Sequence, residues 1–326
     1  MKVFLVFLII WEITVFGKEA KLKDVEECKN GMLQFSRFEG TSGKYDEVIA
    51  RGNQFVTLQD QTLTIFDNFK PIHQKKLMIS KRRLNLDLFK NILFTFNSSL
   101  GIYIPENDEI IWKESPYVSY NLTGNQVFDD NNTIYSIING TIFHAKTTDK
   151  FFKSLPRLER FKNVTNLVRG DGGHIYFAHA SEKTSWIVNT TTEQTIMQTR
   201  LLKCLNFVWG NYGGDGYLSL VDTNCTLKSS RIFSSFDVHQ PNLEKTIQFE
   251  YCNYSLDARF ILSCEGTGDV AYFFNKNSVY RTLLRSNSEY SCLIAKLGNI
   301  NITAAAINNN YIILATSDGL WFSKWW

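Results

Sequence analysis

The chain has 326 residues and is 44% hydrophobic, 14% aromatic and 21% charged, a globular composition with ample material for a large core. Its net charge is only +3, with Lys and Arg read as scattered. That balance argues against a nucleic-acid partner, which calls for a basic stripe.

In chain order, the first element is a secretory signal peptide over residues 1–17. Lys2 supplies the positive start, Val3 to Ile10 the apolar stretch, and Val15 and Gly17 the cleavage positions. Glu12 interrupts the run, and spanning a bilayer takes about 20 apolar residues, so no membrane insertion is expected. The mature chain, 18–326, is expected to be secreted and extracellular.

Met32 to Phe38 then alternates apolar and polar residues, as a strand does. After it the same phrase recurs seven times: an apolar β-forming run, a tight polar turn, and a second alternating run. The copies begin at Phe55, Leu93, Ile134, Ile175, Tyr217, Phe260 and Tyr311. A hairpin-bearing period of about 40 residues predicts a β-propeller. Each copy is preceded by a polar turn and a short apolar run, so the unit reads as strand a, turn, strand b, turn, strand c and a variable strand d. Asn139-Gly140 and Asp318-Gly319 mark b–c hairpins, because both residue types tolerate positive φ. The last copy lacks its fourth strand, and Leu33 to Phe38 is unassigned. The fold class expected is all-β: one seven-bladed propeller of four-stranded antiparallel blades, closed by the N-terminal strand completing the last blade. Closure of that kind removes an exposed sheet edge.

The Ala315-Thr316-Ser317-Asp318-Gly319-Leu320-Trp321 hairpin resembles the Asp-box of sialidase-like and sortilin-like propellers and the repeat of bacterial regulator propellers. The likeness covers about a dozen residues in one blade and implies the propeller superfold. Trp-Asp dipeptides and Gly-His at blade starts are absent, which excludes the WD40 pattern.

Six Cys follow the signal peptide: Cys28, Cys204, Cys225, Cys252, Cys264 and Cys292. In a secreted chain they predict three disulfides among 15 possible pairings. Nearest-neighbour pairing joins Cys204 to Cys225 and Cys252 to Cys264, and leaves Cys28 for Cys292. Nine N-x-S/T sequons are candidate glycosylation sites: Asn97, Asn121, Asn131, Asn139, Asn163, Asn189, Asn224, Asn253 and Asn301.

Hydrolase signatures, CxxC pairs and clustered His are absent from the sequence, so no cofactor or metal is expected. His174 and His179 flank one predicted strand on opposite faces and read as structural. Asp215, in Asn211 to Tyr217, resembles a fragment of integrin-type calcium loops, but one carboxylate does not make the six to eight ligands calcium takes. Arg169-Gly170-Asp171 reads first as an ordinary turn and only second as an integrin contact.

The expected function is an extracellular binding module for a protein or glycan partner. The alternatives are a hydrolase with its site at the channel mouth and a carrier of a small ligand in the channel. Most sequons fall at b–c turns and d–a links, so the a–b turns are the expected binding face. Its candidate residues are Asn53, Asp129, Asp130, Asp171, Asp215, Arg259 and Asn309.

Overall fold

The computed structural model describes residues 33–324, apart from stretches of which 249–258, 284–291, 115–121 and 263–269 are the longest; between 195 and 271 it describes strand backbones alone. The chain is an all-β propeller of antiparallel sheets in which sequence neighbours pair. The first blade is Glu47–Arg51, Gln54–Gln59, Thr62–Asp67 and Lys70–Lys76, and the second is Lys81–Leu86, Ile92–Phe96, Ser99–Ile104 and Glu109–Glu114. The third is Leu122–Phe128, Thr133–Ile138, Thr141–Lys146 and Lys153–Ser154. The next sheet follows the same order through Val164–Arg169, Ile175–Ala180, Ser185–Asn189 and Thr195–Thr199. Downstream lie Asn206–Tyr212, Asp215–Val221, Thr226–Phe233 and Val238–His239, with Lys245–Gln248 also paired to Thr226–Phe233. A further sheet runs Arg259–Leu262, Val270–Asn275, Ser278–Leu283 and Cys292–Lys296.

The middle strands are apolar on both faces because a blade stacks on each side of them. Phe55 and Phe66 of the first blade pack with Ala304, Ile313 and Leu320 of the last. Val56, Leu58, Leu63 and Ile65, pointing the other way, pack with Ile92, Phe94 and Tyr103 of the second. Alternation therefore sorts side chains between two neighbours, not between core and water.

The closing blade is Ile302–Ile307, Tyr311–Thr316, Gly319–Lys324 and the N-terminal strand Ser36–Arg37. Ser36 pairs with Phe322 and Arg37 with Trp321, and the Phe38 N–H donates to Leu320 O at 2.8 Å. The expected pairing of Leu33 to Phe38 with one strand is corrected at its start. The Leu33 N–H donates instead to Ile294 O, 2.9 Å away on the outer strand of the preceding sheet. The N-terminal segment thus bridges two sheets, and Leu33 and Phe35 pack on that sheet's core.

Turn chemistry is as the residues dictate, with one shift. Asn139 and Gly140 adopt φ of 51° and 69° in the two-residue turn joining Thr133–Ile138 to Thr141–Lys146. In the last hairpin the turn is Ser317-Asp318, one residue earlier than Asp318-Gly319, since Thr316 pairs with Gly319. Gly319 has φ 131°, and a Cβ there would lie 3.1 Å from Thr41 Oγ1.

The sixth repeat departs from expectation. The run beginning at Phe260 is the first strand of its sheet, not the second, and Val270–Asn275 is the second.

Candidate functional site

Two bonds fix which connections share a face. The Asn68 N–H, in the first blade's c–d turn, donates to Asn53 O in its a–b turn at 3.4 Å. On the other side, the Val164 N–H, at a d–a link, donates to Gly140 O of a b–c turn at 3.0 Å.

On the a–b face, three turns are described around candidate residues. Asn53 is exposed and follows Gly52, whose φ is 59°. Asp129 caps its own turn: Oδ1 accepts the N–H groups of Asn131 at 2.9 Å and Thr133 at 2.8 Å, and Oδ2 accepts the Tyr135 hydroxyl at 3.3 Å. Asn308 does the same with its amide oxygen, accepting from Asn310 at 3.0 Å and Tyr311 at 2.8 Å. In both, a side-chain oxygen replaces a backbone acceptor and stiffens the loop. Burial, then the Asp129 carboxylate, pushes the Tyr135 phenol up to about 12, so it stays a neutral donor.

The other candidates fare differently. Asp130, Asp171 and Asn309 lie outside the described residues, as does Gly170 of the Arg169-Gly170-Asp171 tripeptide; Arg169 ends the strand Val164–Arg169. Asp215 is not in a turn. It begins the strand Asp215–Val221 and pairs with Tyr212 and Phe233, because both flanking strands run further than the apolar residues indicate. Arg259 begins a first strand opposite Phe274 and so stands away from any a–b turn.

Sequon placement is asymmetric. Asn139 sits in a b–c turn, and Asn163 and Asn301 at d–a links; all three are exposed, and among described sequons only Asn131 is exposed on the a–b face. Asn189 has 0% exposure, with its Oδ1 accepting the Thr191 N–H at 2.6 Å, which leaves no room for a glycan in this fold. Asn97, Asn121, Asn224 and Asn253 lie outside the described residues. So do Cys28, Cys204, Cys225, Cys252 and Cys264; Cys292 begins an outer strand.

His174 is outside the described residues, and His179 lies against the Phe161 ring at 5.1 Å, where burial pulls its pKa down. Among the described residues no group of three or more His, Cys, Asp or Glu could hold a metal ion.

Sequence reasoning missed the outer rim. Lys75, on the first blade's outer strand, donates to both Asp108 carboxylate oxygens at 2.7 Å, across to the second blade's c–d turn. The Tyr103 hydroxyl donates to Asp108 at 2.9 Å and is bonded to His73 Nε2 on its other side. The device repeats. The Lys113 ammonium of the second blade reaches Asp149 O of the third, and Arg160 pairs with Glu193 in the next sheet's c–d turn at 2.5 Å. A basic side chain about 33 residues before an acidic one is the only trace in sequence. The reading of Lys and Arg as scattered is also wrong in one place: Lys70, Lys75, Lys76, Lys81, Arg82 and Arg83 fall within 70–83, which contains no Asp or Glu.

No protein-family profile and no curated protein matches the chain. Among solved structures it is similar to virginiamycin B lyase from Staphylococcus aureus, in a catalytically inactive form with Quinupristin. The TM-score is 0.64 at 14% identity, over 90% of this chain and 98% of that one. The selenomethionine-substituted form of that lyase gives a TM-score of 0.62 at 14% identity and the same coverage. At that identity the likeness establishes the propeller fold.

Proposed function

We propose that the chain is a secreted, glycosylated, seven-bladed propeller that binds an extracellular protein or glycan on its a–b face. Support for seven blades comes from the first strands, which neighbour one another in a circuit returning from Ile302–Ile307 to Glu47–Arg51. Support for secretion is the apolar stretch after Lys2, the sequons and six Cys, expected to be oxidised.

The observation that carries the binding face is the sequon asymmetry. Glycans at Asn139, Asn163 and Asn301 would crowd the opposite face and leave the a–b face accessible. The self-capped turns at Asp129 and Asn308 add to this, because a loop already held in shape loses little entropy when a partner docks.

The test has two parts. Mass spectrometry of enzymatically deglycosylated protein, secreted from animal cells, should find Asn139, Asn163 and Asn301 converted to Asp and Asn189 unchanged. Labelled protein is then applied to cells and to a glycan array. Asn53→Arg combined with Asn310→Arg should abolish binding, and Gln61→Arg, in a b–c turn, should preserve it. The reverse pattern would invert the face.

A further inference from the structure

The strand Lys70–Lys76 is the longest outer strand among the described residues, at seven residues. Among the described residues it pairs on one side only, with Thr62–Asp67. The Leu77 N–H donates to Gln61 O, so by alternation His73 and Lys75 turn their backbone groups into the sheet. Gln74 and Lys76 turn theirs outward. A bulge between Pro71 and His73 leaves Ile72 unpaired and 56% exposed. Met78, just past the strand, is 65% exposed.

Side chains sort the same way. His73 and Lys75 face the second blade, engaged with Tyr103 and Asp108, and Leu77 is buried. Lys70, Ile72, Gln74, Lys76 and Met78 are exposed. Six Lys and Arg lie in 70–83 against a chain total of +3, so the rest of the chain carries 3 − 6 = −3. Of those six, Lys70, Lys75 and Lys76 lie on this strand, with Lys70 and Lys76 exposed, and Lys81, Arg82 and Arg83 belong to the first strand of the next blade.

Protection against self-pairing explains Lys70, Pro71 and Lys76, since charge and proline blunt free edges. It does not explain Ile72 and Met78, which such protection would leave polar. We propose that Lys70–Lys76 docks an extended acidic peptide as an added antiparallel or parallel strand. The outward amides of Gln74 and Lys76 would give main-chain bonds, Lys70 and Lys76 would meet carboxylates, and Ile72 and Met78 would meet apolar side chains between them. A second copy of this strand is disfavoured by its own charge. This surface is separate from the a–b face, so its test stands apart from the test of that face.

The experiment is fluorescence polarisation with a labelled ten-residue peptide of alternating Glu and Val. A Lys-Val peptide, a heparin fragment and phosphatidylserine vesicles serve as comparisons. The wild-type protein should bind the Glu-Val peptide in preference to all three. Lys70→Glu with Lys76→Glu should weaken that binding about tenfold or more. Gln74→Pro removes one outward N–H and should abolish peptide binding. Ile72→Asp, on the exposed bulge, should weaken it without touching the sheet. Failure of the wild type to bind the Glu-Val peptide overturns the proposal. So does peptide binding that a folded Gln74→Pro or Ile72→Asp protein retains in full. Stronger binding to heparin or vesicles reassigns the edge to a simple polyanion.

Discussion

The seam of the ring and the junction between its first two blades join similar sheets by different means. At the seam, Phe38, Phe55, Phe66, Phe69, Tyr311 and Phe322 pack edge-on, stacked or tilted, with Phe55 and Phe66 stacked at 4.6 Å and Phe69 and Phe322 tilted at 4.8 Å. Backbone pairing of Ser36 and Arg37 adds to this. The first interior junction has a mainly aliphatic core, Val56, Leu58, Leu63, Ile65, Leu77 and Ile92 with Phe94 and Tyr103, rimmed by the Lys75–Asp108–Tyr103–His73 cluster. An interior junction is tethered by the chain itself, so its blades stay near each other at small entropic cost. At the seam the partners are nearly the whole chain apart. Among the described residues backbone pairing and ring packing join them, and the heaviest aromatic packing lies there.

The largest effect should follow from cutting the seam. Deleting residues 31–38 removes the strand on Gly319–Lys324 and the Leu33 bond to Ile294. The Tm, followed by far-UV circular dichroism, should fall by about 10 °C or more. A truncated protein melting within about 2 °C of the full one would place the seam's strength elsewhere.

Next is Phe66→Ala, which empties a buried ring position shared by Phe38 and Phe55. A loss of about 3–5 kcal/mol in denaturant unfolding is expected.

Gly101→Ala probes the interior side of the comparison. Gly101 pairs with Phe94 on one side and Trp112 on the other, and the two rings meet over it at 5.5 Å. An added Cβ would sit 2.4 Å from Phe94 Cζ. A loss of about 1–3 kcal/mol is expected, partly restored by Phe94→Leu.

The smallest effect concerns pH, which should separate the two junctions. Lys75, then Tyr103, holds the Asp108 carboxyl below its ordinary range. Its folded pKa is depressed, so its contribution is present above about pH 4 and lost as pH falls through the folded value. Burial pulls His144 and His179 down, so the unfolded chain takes up their protons first and stability begins to fall below about pH 6.5. At the seam, the rings of Phe38, Phe55, Phe66, Phe69 and Phe322 carry no ionisable group. Hydrogen exchange at pH 3 should rise at Lys75 and Leu77 before it rises at Leu320 to Phe322. Equal acceleration at both would show that the polar cluster is not a separate weak point.

Much of the fold is legible because a hairpin is a local object. Asn139-Gly140 specifies its turn by backbone freedom alone, and the unassigned alternating run before the first repeat has one vacant partner, the last sheet's third strand. Legibility stops where local pattern is equivocal. The runs at Phe260 and Val270 are both good strands, and only their stacking order makes the first one strand a, which moves Arg259 off the a–b face. Asp215 reads as a turn residue from the glycines beside it, yet pairing extends the two strands as far as Tyr212 and Asp215.

By itself the sequence determined the propeller, its repeat, its hairpin turns and the closing strand, since each depends on residue type within a few positions or on a repeated period. Tertiary structure alone decided which side chains meet. Asn189 carries a sequon but is buried and bonded within its own turn, Asp129 and Asn308 are occupied in their loops, and Lys75 finds Asp108 in the next blade. The last of these depends on how blades stack and twist around the ring, which brings together residues 33 positions apart that no local periodicity couples.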